Sequence, residues 1–332
     1  MTVRIGTRAS KLALTQTQQT ADQLAAVGGF PVELVHIRTD GDVLTGPLSQ
    51  MGGTGVFVAA LRDALLRDAC DVAVHSLKDL PTGAALGLSL AATPKRVDVR
   101  DVLCARDGLK LAELPAGATV GTGSPRRAAQ LRAARPDLDI RDIRGNVDTR
   151  LGRVPGLPGN SAGEVEEGKS GDLDAVVLAA AGLHRIGRLD AVSEYLETDV
   201  MLPAAGQGSL AIECRTSDAP RKAGSTEGSQ GVLAQALAAL DDPDTRLAVT
   251  AERALLARLE AGCAAPVGAY AYRKGSMLHL EAVVCAVDGT ATVRDKKATD
   301  GLTEVGATLL GIELAEALLA AGAADIADLA AS

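Results

Sequence analysis

Apolar positions recur in two periods that alternate along the chain. Val3-Arg4-Ile5-Gly6 reads as a short strand, followed by Thr7, Arg8, Ala9 and Ser10 and then a helical run through LALTQTQQTADQLAAV, with Ser10 as its expected N-cap. A strand at VELVHIR and the loop TDGDVLTGPLSQMGGTG lead to a helix on which Phe57, Leu61 and Leu65, at i, i+4 and i+8, share one face. DVAVHSLKDLPT then reads as a buried strand over residues 71–75, ending in a turn closed by Pro81. Residues 98–118 cross into a second segment of the same kind. There, Thr119-Val120-Gly121 ends a strand, Ser124 is the expected N-cap, Pro125 the first helical residue and AAQLRAA the helix body. The repeated order of strand, Gly-Thr, capping serine and helix points to two lobes built on one plan.

LDAVVLAAAGLHRIGRL continues as a buried strand running into a helix that carries Arg185. Gly206-Gln207-Gly208 precedes another strand, SLAIEC, after which RTSDAPRKAGSTEGSQG is polar and glycine-rich and marks the best domain boundary. Beyond it come a helix through TRLAVTAERALLARLEAG, strands near VGAYAYR, MLHLEAVVCA and ATVRDKK, and an Ala/Leu-rich C-terminal helix, the pattern of a small α+β domain. PGLPGNSAGEVEEGKSG, between Val154 and Asp172, reads as a surface loop.

Charge changes this picture at residues 119–151. Arg126 and Arg127 fall in the first turn of the expected helix, the positive end of its dipole, where a cation loses roughly 0.3–1 kcal/mol and an anion gains as much. The two side chains either bend into solvent or flank an anion. Arg144 in an IRGN turn, then Arg150, add a second cluster after the next strand, and together they indicate a concave site for an oligo-anion. The chain of 332 residues carries a net charge of -8 and 2% aromatic residues with no Trp, which speaks against a nucleic-acid partner and for a small, multiply charged ligand.

Lys78 and Asp79 lie just past a strand's C-terminal end, where open α/β sheets bind ligands. They fit either an exposed ion pair or, in a cleft lined by arginines, a site where Asp79 handles a proton or steadies a developing cation. His75 reads as a structural residue. The glycines at 52, 53 and 55 have no Walker spacing and suggest a mobile loop. Five scattered cysteines without CxxC spacing suggest neither zinc nor a disulfide framework. Gly262 reads as a helix C-cap, so Cys263 follows the negative end of a dipole, which disfavours a turnover nucleophile. It fits an inert half-buried thiol or the anchor of a bond made once and kept. With no basic start leading into an apolar run and no bilayer-spanning stretch, the expectation is a soluble protein of the reducing cytoplasm.

RIGTRASKLAL, HSLKDLPT, VGTGSPRR, IRGNVDTRL, AAGLHRIG, LPAAGQGSLAIECR and LEAGCAAPVGAYA, in that order, resemble the porphobilinogen deaminase (hydroxymethylbilane synthase) family over nearly the whole chain. The resemblance implies an α/β fold of two similar lobes of the type II periplasmic-binding-protein kind with a hinged cleft, plus a small C-terminal α+β domain. Expected domains are residues 1–99 with 200–224, residues 100–199, and residues 225–332. It implies a transferase that condenses four porphobilinogen molecules head to tail, releasing ammonia, on a covalent dipyrromethane cofactor held by a thioether to Cys263. Asp79 would be the catalytic residue. Arg8, Ser10, Lys78, Thr122, Ser124, Arg126, Arg127, Arg144, Asn146, Arg150 and Arg185 would hold the carboxylates of cofactor and substrate. No metal, nucleic acid or membrane is implied, and the expected state is a monomer. Thr54 and Gln50 stand where the family often has lysine, and the stretch between Val154 and Asp172 is longer than usual. A non-catalytic anion-binding protein is the competing reading.

Overall fold

The computed structural model describes residues 1–37, 55–157, 171–221, 224–261 and 265–329. Cys263, Gln50, Gly52, Gly53, Thr54 and most of the loop after Val154 lie outside the described residues. The chain folds into two compact units, Met1–Val97 with Ser209–Thr250, and Asp98–Gly208 with Ala251–Ser332.

The first unit begins with β1 (Val3–Thr7), α1 (Lys11–Gly28), β2 (Val32–His36), α2 (Gly55–Leu66), β3 (Val72–Ser76) and β4 (Leu88–Ala92). The second follows with β5 (Asp101–Ala105), β6 (Thr119–Gly121), α3 (Pro125–Ala134), β7 (Asp139–Arg141), α4 (Val147–Leu151), β8 (Ala175–Ala179), α5 (Ala180–Arg185) and β9 (Glu194–Leu196). The chain then returns to the first unit with β10 (Leu210–Arg215) and α6 (Val232–Leu240). The division between the units falls within α7 (Pro243–Arg258). The remainder is β11 (Val267–Lys274), β12 (Met277–Cys285), β13 (Thr292–Thr299), α8 (Glu304–Ala320) and α9 (Ala323–Ile326).

The two five-stranded sheets have orders β2-β1-β3-β10-β4 and β7-β6-β8-β5-β9. Their pairings match step for step. β1 is parallel to β2 and β3, and β10 runs antiparallel to β3 and β4. Likewise β6 is parallel to β7 and β8, and β5 runs antiparallel to β8 and β9. The registers correspond as well, with Ile5 and Gly6 opposite Val72 and Ala73, and Val120 and Gly121 opposite Ala175 and Val176. The one-plan reading of the sequence thus holds at the level of individual strand pairs. β3, β5 and β8 are almost wholly buried, which is why they read as continuous apolar runs and not as alternating ones.

β11, β12 and β13 form a separate antiparallel sheet with α8 on one face. Leu278, Leu280, Ala282 and Val284 are buried on alternate positions, and α8 contributes Leu310, Leu314 and Leu318 at four-residue steps. On the other face of β12, Val283 and Cys285 pack with Ala129 and Leu202 of the second lobe. α6 belongs to the first lobe, because its Leu233, Ala236 and Leu237 join Ala21 and Leu24 of α1 in one apolar core. The first unit therefore extends past residue 224, where the composition changes.

Gly123 illustrates how closely the second lobe is drawn together near its arginines. A Cβ there would lie 2.4 Å from the backbone oxygen of Ile143, an approach only glycine permits. Gly123→Ala is expected to cost roughly 1–3 kcal/mol through overpacking, read as a lowered midpoint in urea or thermal unfolding.

Candidate active site

In the first unit the buried strand β3 runs straight into a 3₁₀ turn, Leu77–Asp79, closed by the Leu80 N–H donating to the Leu77 carbonyl at 3.0 Å. Leu77 is the nail of this turn. Its side chain packs with Val58, Leu80, Ala211 and Val249, and its N–H donates to the Ser209 carbonyl at 3.0 Å. Lys78 and Asp79 are left half-buried beside it, and the Asp79 carboxylate has no hydrogen-bond or ion-pair partner among the described residues. His75 is accounted for as a structural residue. Its Nε2 lies 3.1 Å from Glu213, which also accepts from Arg62 Nε and Nη2 at 3.1 and 2.9 Å. Burial pushes the Glu213 carboxyl up, but His75 and Arg62 outweigh it and hold the group below its ordinary range. Ser10 caps α1, accepting from the Ala13 N–H at 3.3 Å, and Arg8 stands half-buried two residues ahead of it.

In the second unit Thr122 is buried and accepts from the Ser124 N–H at 3.3 Å, while Ser124 caps α3 by accepting from the Arg127 N–H at 3.5 Å. Pro125 opens the helix, as its fixed φ favours. The two arginines that follow do not bend into solvent. An anion lies between them, and it is the protein's own Asp101, fully buried at the head of β5. Asp101 Oδ2 accepts from Arg126 Nη2 at 2.8 Å, and Oδ1 accepts from Arg127 Nε and Nη2 at 3.0 and 2.7 Å. The remaining reach goes to backbone: Arg126 Nη1 donates to the Leu202 carbonyl at 2.5 Å and Arg127 Nη1 to the Val177 carbonyl at 3.2 Å. Burial opposes ionisation of Asp101, yet the two guanidiniums hold its carboxyl well below the usual range.

One carboxylate does not balance this corner of the lobe. Arg150 donates from Nε to the Gly145 carbonyl at 2.9 Å, and burial, with Arg127 and Arg144 as like-charged neighbours, pushes its guanidinium down to about 10. Arg144 is exposed and loosely paired with Asp142 at 3.3 Å. Gly145, at φ 106°, turns the chain here into a conformation that favours glycine. Asn146 then caps α4, its Oδ1 accepting from the Thr149 N–H and Oγ at 2.8 and 3.0 Å. Arg185 stands apart electrostatically. It donates from Nη2 to the Gly208 carbonyl at 3.0 Å, and burial alone pushes it down to about 10.

Sequence reasoning passed over two groups that the fold brings into this cluster. Asp101 opens an otherwise apolar strand, DVLCA, and a carboxylate in that setting is a signal for a buried cation. Gln207 donates from Nε2 to both Asp101 Oδ1, at 2.9 Å, and the Val99 carbonyl, at 2.7 Å.

The family model described as "Porphobilinogen deaminase, dipyromethane cofactor binding domain" matches residues 3–223, and "Porphobilinogen deaminase, C-terminal domain" matches residues 246–320. The chain belongs to the porphobilinogen deaminase family. The porphobilinogen deaminase of Cutibacterium acnes is 55% identical over 341 residues, covering 99% of this chain and 98% of the relative. That of Leifsonia xyli subsp. xyli is 53% identical, covering 98% and 94%. Among solved structures, a periplasmic substrate-binding protein of an ABC transporter from Coxiella burnetii aligns with a TM-score of 0.41 at 14% identity, covering 73% of this chain and 92% of that one. The methionine-binding protein MetQ aligns with a TM-score of 0.39 at 14% identity, covering 71% and 89%. The family assignment makes this an enzyme of tetrapyrrole synthesis with a dipyrromethane-binding domain. Among the described residues no helix is long and apolar enough to cross a membrane, and no group of His, Cys, Asp and Glu is gathered to hold a metal ion.

Proposed function

We propose that this chain is a hydroxymethylbilane synthase, a transferase that joins four porphobilinogen molecules head to tail with loss of ammonia at each step. The observation that carries the reading is the surplus of positive charge around α3, where the half-buried Arg150 has Arg127 and Arg144 as like-charged neighbours and its guanidinium is depressed. A carboxylate ligand reverses that cost, and each pyrrole of the substrate brings an acetate and a propionate. The buried Nε of Arg126, which has no hydrogen-bond partner among the described residues, is a further donor waiting for an acceptor.

The same donor set suits the dipyrromethane cofactor, whose two rings carry the same acids. When bound, the cofactor supplies the terminal pyrrole carbon from which the product grows. Cys263 is the proposed point of thioether attachment. The other cysteines support this by default, since Cys70, Cys104, Cys214 and Cys285 are buried and burial raises their thiols to about 11, 12, 12 and 11.

The chain's residues divide the work by chemistry. Arg8, Ser10, Lys78, Thr122, Ser124, Arg126, Arg127, Arg144, Asn146, Arg150 and Arg185 are proposed to hold carboxylates, Arg126 and Arg127 only through the N–H groups that Asp101 and the backbone carbonyls leave over. Asp79 is proposed to carry the reaction. As the C–N bond to the aminomethyl group breaks, positive charge spreads onto the pyrrole ring, and a carboxylate beside the ring N–H stabilises it. The nitrogen has left as ammonia with that bond, and the methylene carbon then forms a C–C bond to a ring carbon of a second pyrrole, whose displaced proton is lost. We further propose three domains, the third formed by β11–β13 with α8 and beginning after the first unit ends at Thr250 and not at residue 225, and a monomer acting in the cytoplasm, a compartment that suits the four described cysteines, unpaired and buried.

Purified full-length protein is expected to release one ammonia per porphobilinogen consumed, and a protein that consumes none overturns the proposal. Arg150→Lys is expected to raise KM roughly tenfold or more, because an ammonium cannot reproduce the fork. Steady-state kinetics with porphobilinogen checks this, and an unchanged KM removes Arg150 from the carboxylate site.

A further inference from the structure

We infer that Asp101, with Gln207 as its second partner, is a positioning residue that presets the geometry and the net charge of the arginine pair on α3. The inference rests on the proposed function and assigns a role to groups that the reaction itself does not use.

The bonds form one closed unit. A single carboxylate accepts from Arg126, twice from Arg127 and once from Gln207, so its two oxygens together take four hydrogen bonds. Fork-shaped guanidiniums held in this way keep two adjacent side chains in fixed rotamers at the start of a helix, where unpaired they would repel each other and the dipole. Donors remain for a ligand: Arg126 Nε is buried and has no acceptor among the described residues. Gln207 extends the brace to the backbone, since its Nε2 also donates to the Val99 carbonyl at 2.7 Å. Val99 lies just inside the point where the chain enters the second unit, and Gln207 just before the point where it leaves.

The charge count follows from the same bonds. Two guanidiniums face one carboxylate in a setting where Asp101 is 0% exposed and the arginine side chains are 4% and 6% exposed, which leaves a net of +1. In a buried site that residual charge is weakly screened, so it sets how strongly a carboxylate ligand is drawn in. Asp101 therefore tempers the attraction while fixing its direction. A growing product held by both bare arginines would bind more tightly and move less readily.

Three variants of the full-length protein separate charge from scaffolding. Gln207→Glu adds a second carboxylate and brings the cluster to neutrality. It is expected to raise KM for porphobilinogen about tenfold and to lower the fraction of molecules carrying dipyrromethane by intact mass. Gln207→Leu removes the same hydrogen bonds without adding charge, and its effect on KM is expected to be less than a third as large. Asp101→Asn raises the cluster to +2 and is expected to lower kcat at least tenfold with KM unchanged or reduced. If Asp101→Asn does not fold, the Gln207 pair decides alone. Equal KM changes in Glu and Leu variants, or a Glu variant with parental KM and full cofactor mass, overturn the inference. Failure of the parent protein to consume porphobilinogen is the separate result that overturns the proposed function.

Discussion

Asp79→Asn is expected to slow single-turnover condensation of porphobilinogen by at least ~100-fold while leaving KM within a few-fold of the parent, the usual size of effect when a positioned acid or base is lost. The substitution keeps the shape of the side chain and removes its charge. The arginines and Lys78 cannot compensate, because they carry the same sign as the charge that forms on the ring. The setting favours a functional carboxylate. Asp79 is half-buried at the end of a buried strand, with its turn fixed by Leu77 and its oxygens uncommitted among the described residues. Asp79→Glu keeps the charge and moves it by one methylene, so a measurable fraction of the rate is expected to survive. Both variants should be assayed after reconstitution with cofactor. An asparagine variant that turns over near the parental rate transfers the role to another group.

Cys263→Ser is expected to abolish turnover and to shift the intact mass of the purified protein back to the value calculated from its sequence. The parent should exceed that value by one dipyrromethane. Alkylation of a thiol requires access and a reachable thiolate, and the four described cysteines have neither, being at most 1% exposed with thiols raised to between about 11 and 12. A parent protein of unmodified mass with full activity excludes the covalent attachment. A serine variant that retains the extra mass moves the attachment to another residue.

Local signals carried much of this architecture. Ser10, Ser124 and Pro125 cap and open the helices at the positions where their side-chain chemistry is satisfied, and the Ile5-Gly6 and Val120-Gly121 steps occupy matching registers in the two sheets. The arginine gathering between residues 119 and 151 was legible because it opposes the preference of a helix N-terminus. Its answer was not, because the compensating Asp101 lies 25 residues from Arg126 in sequence and meets it only when β5 enters the sheet. Long-range pairing of this kind leaves no periodic trace. The same holds for α6, whose apolar face marks it as packed without naming α1 as the partner.

The interleaved order of the sheets has a consequence for how the protein is made. β10 lies between β3 and β4 and is the strand to which β4 is bonded in the sheet, yet it begins at Leu210, long after β4 ends at Ala92. While the ribosome adds the intervening segment, at ~5–20 residues per second, β3 presents an open apolar edge for on the order of ten seconds. The first lobe of the nascent chain can therefore close only after residues 98–208 of the second have been synthesised. A chain cut at the end of its first contiguous stretch, Met1–Val97, is an incomplete sheet that seeks a strand from elsewhere, and chaperone capture or aggregation is its natural fate.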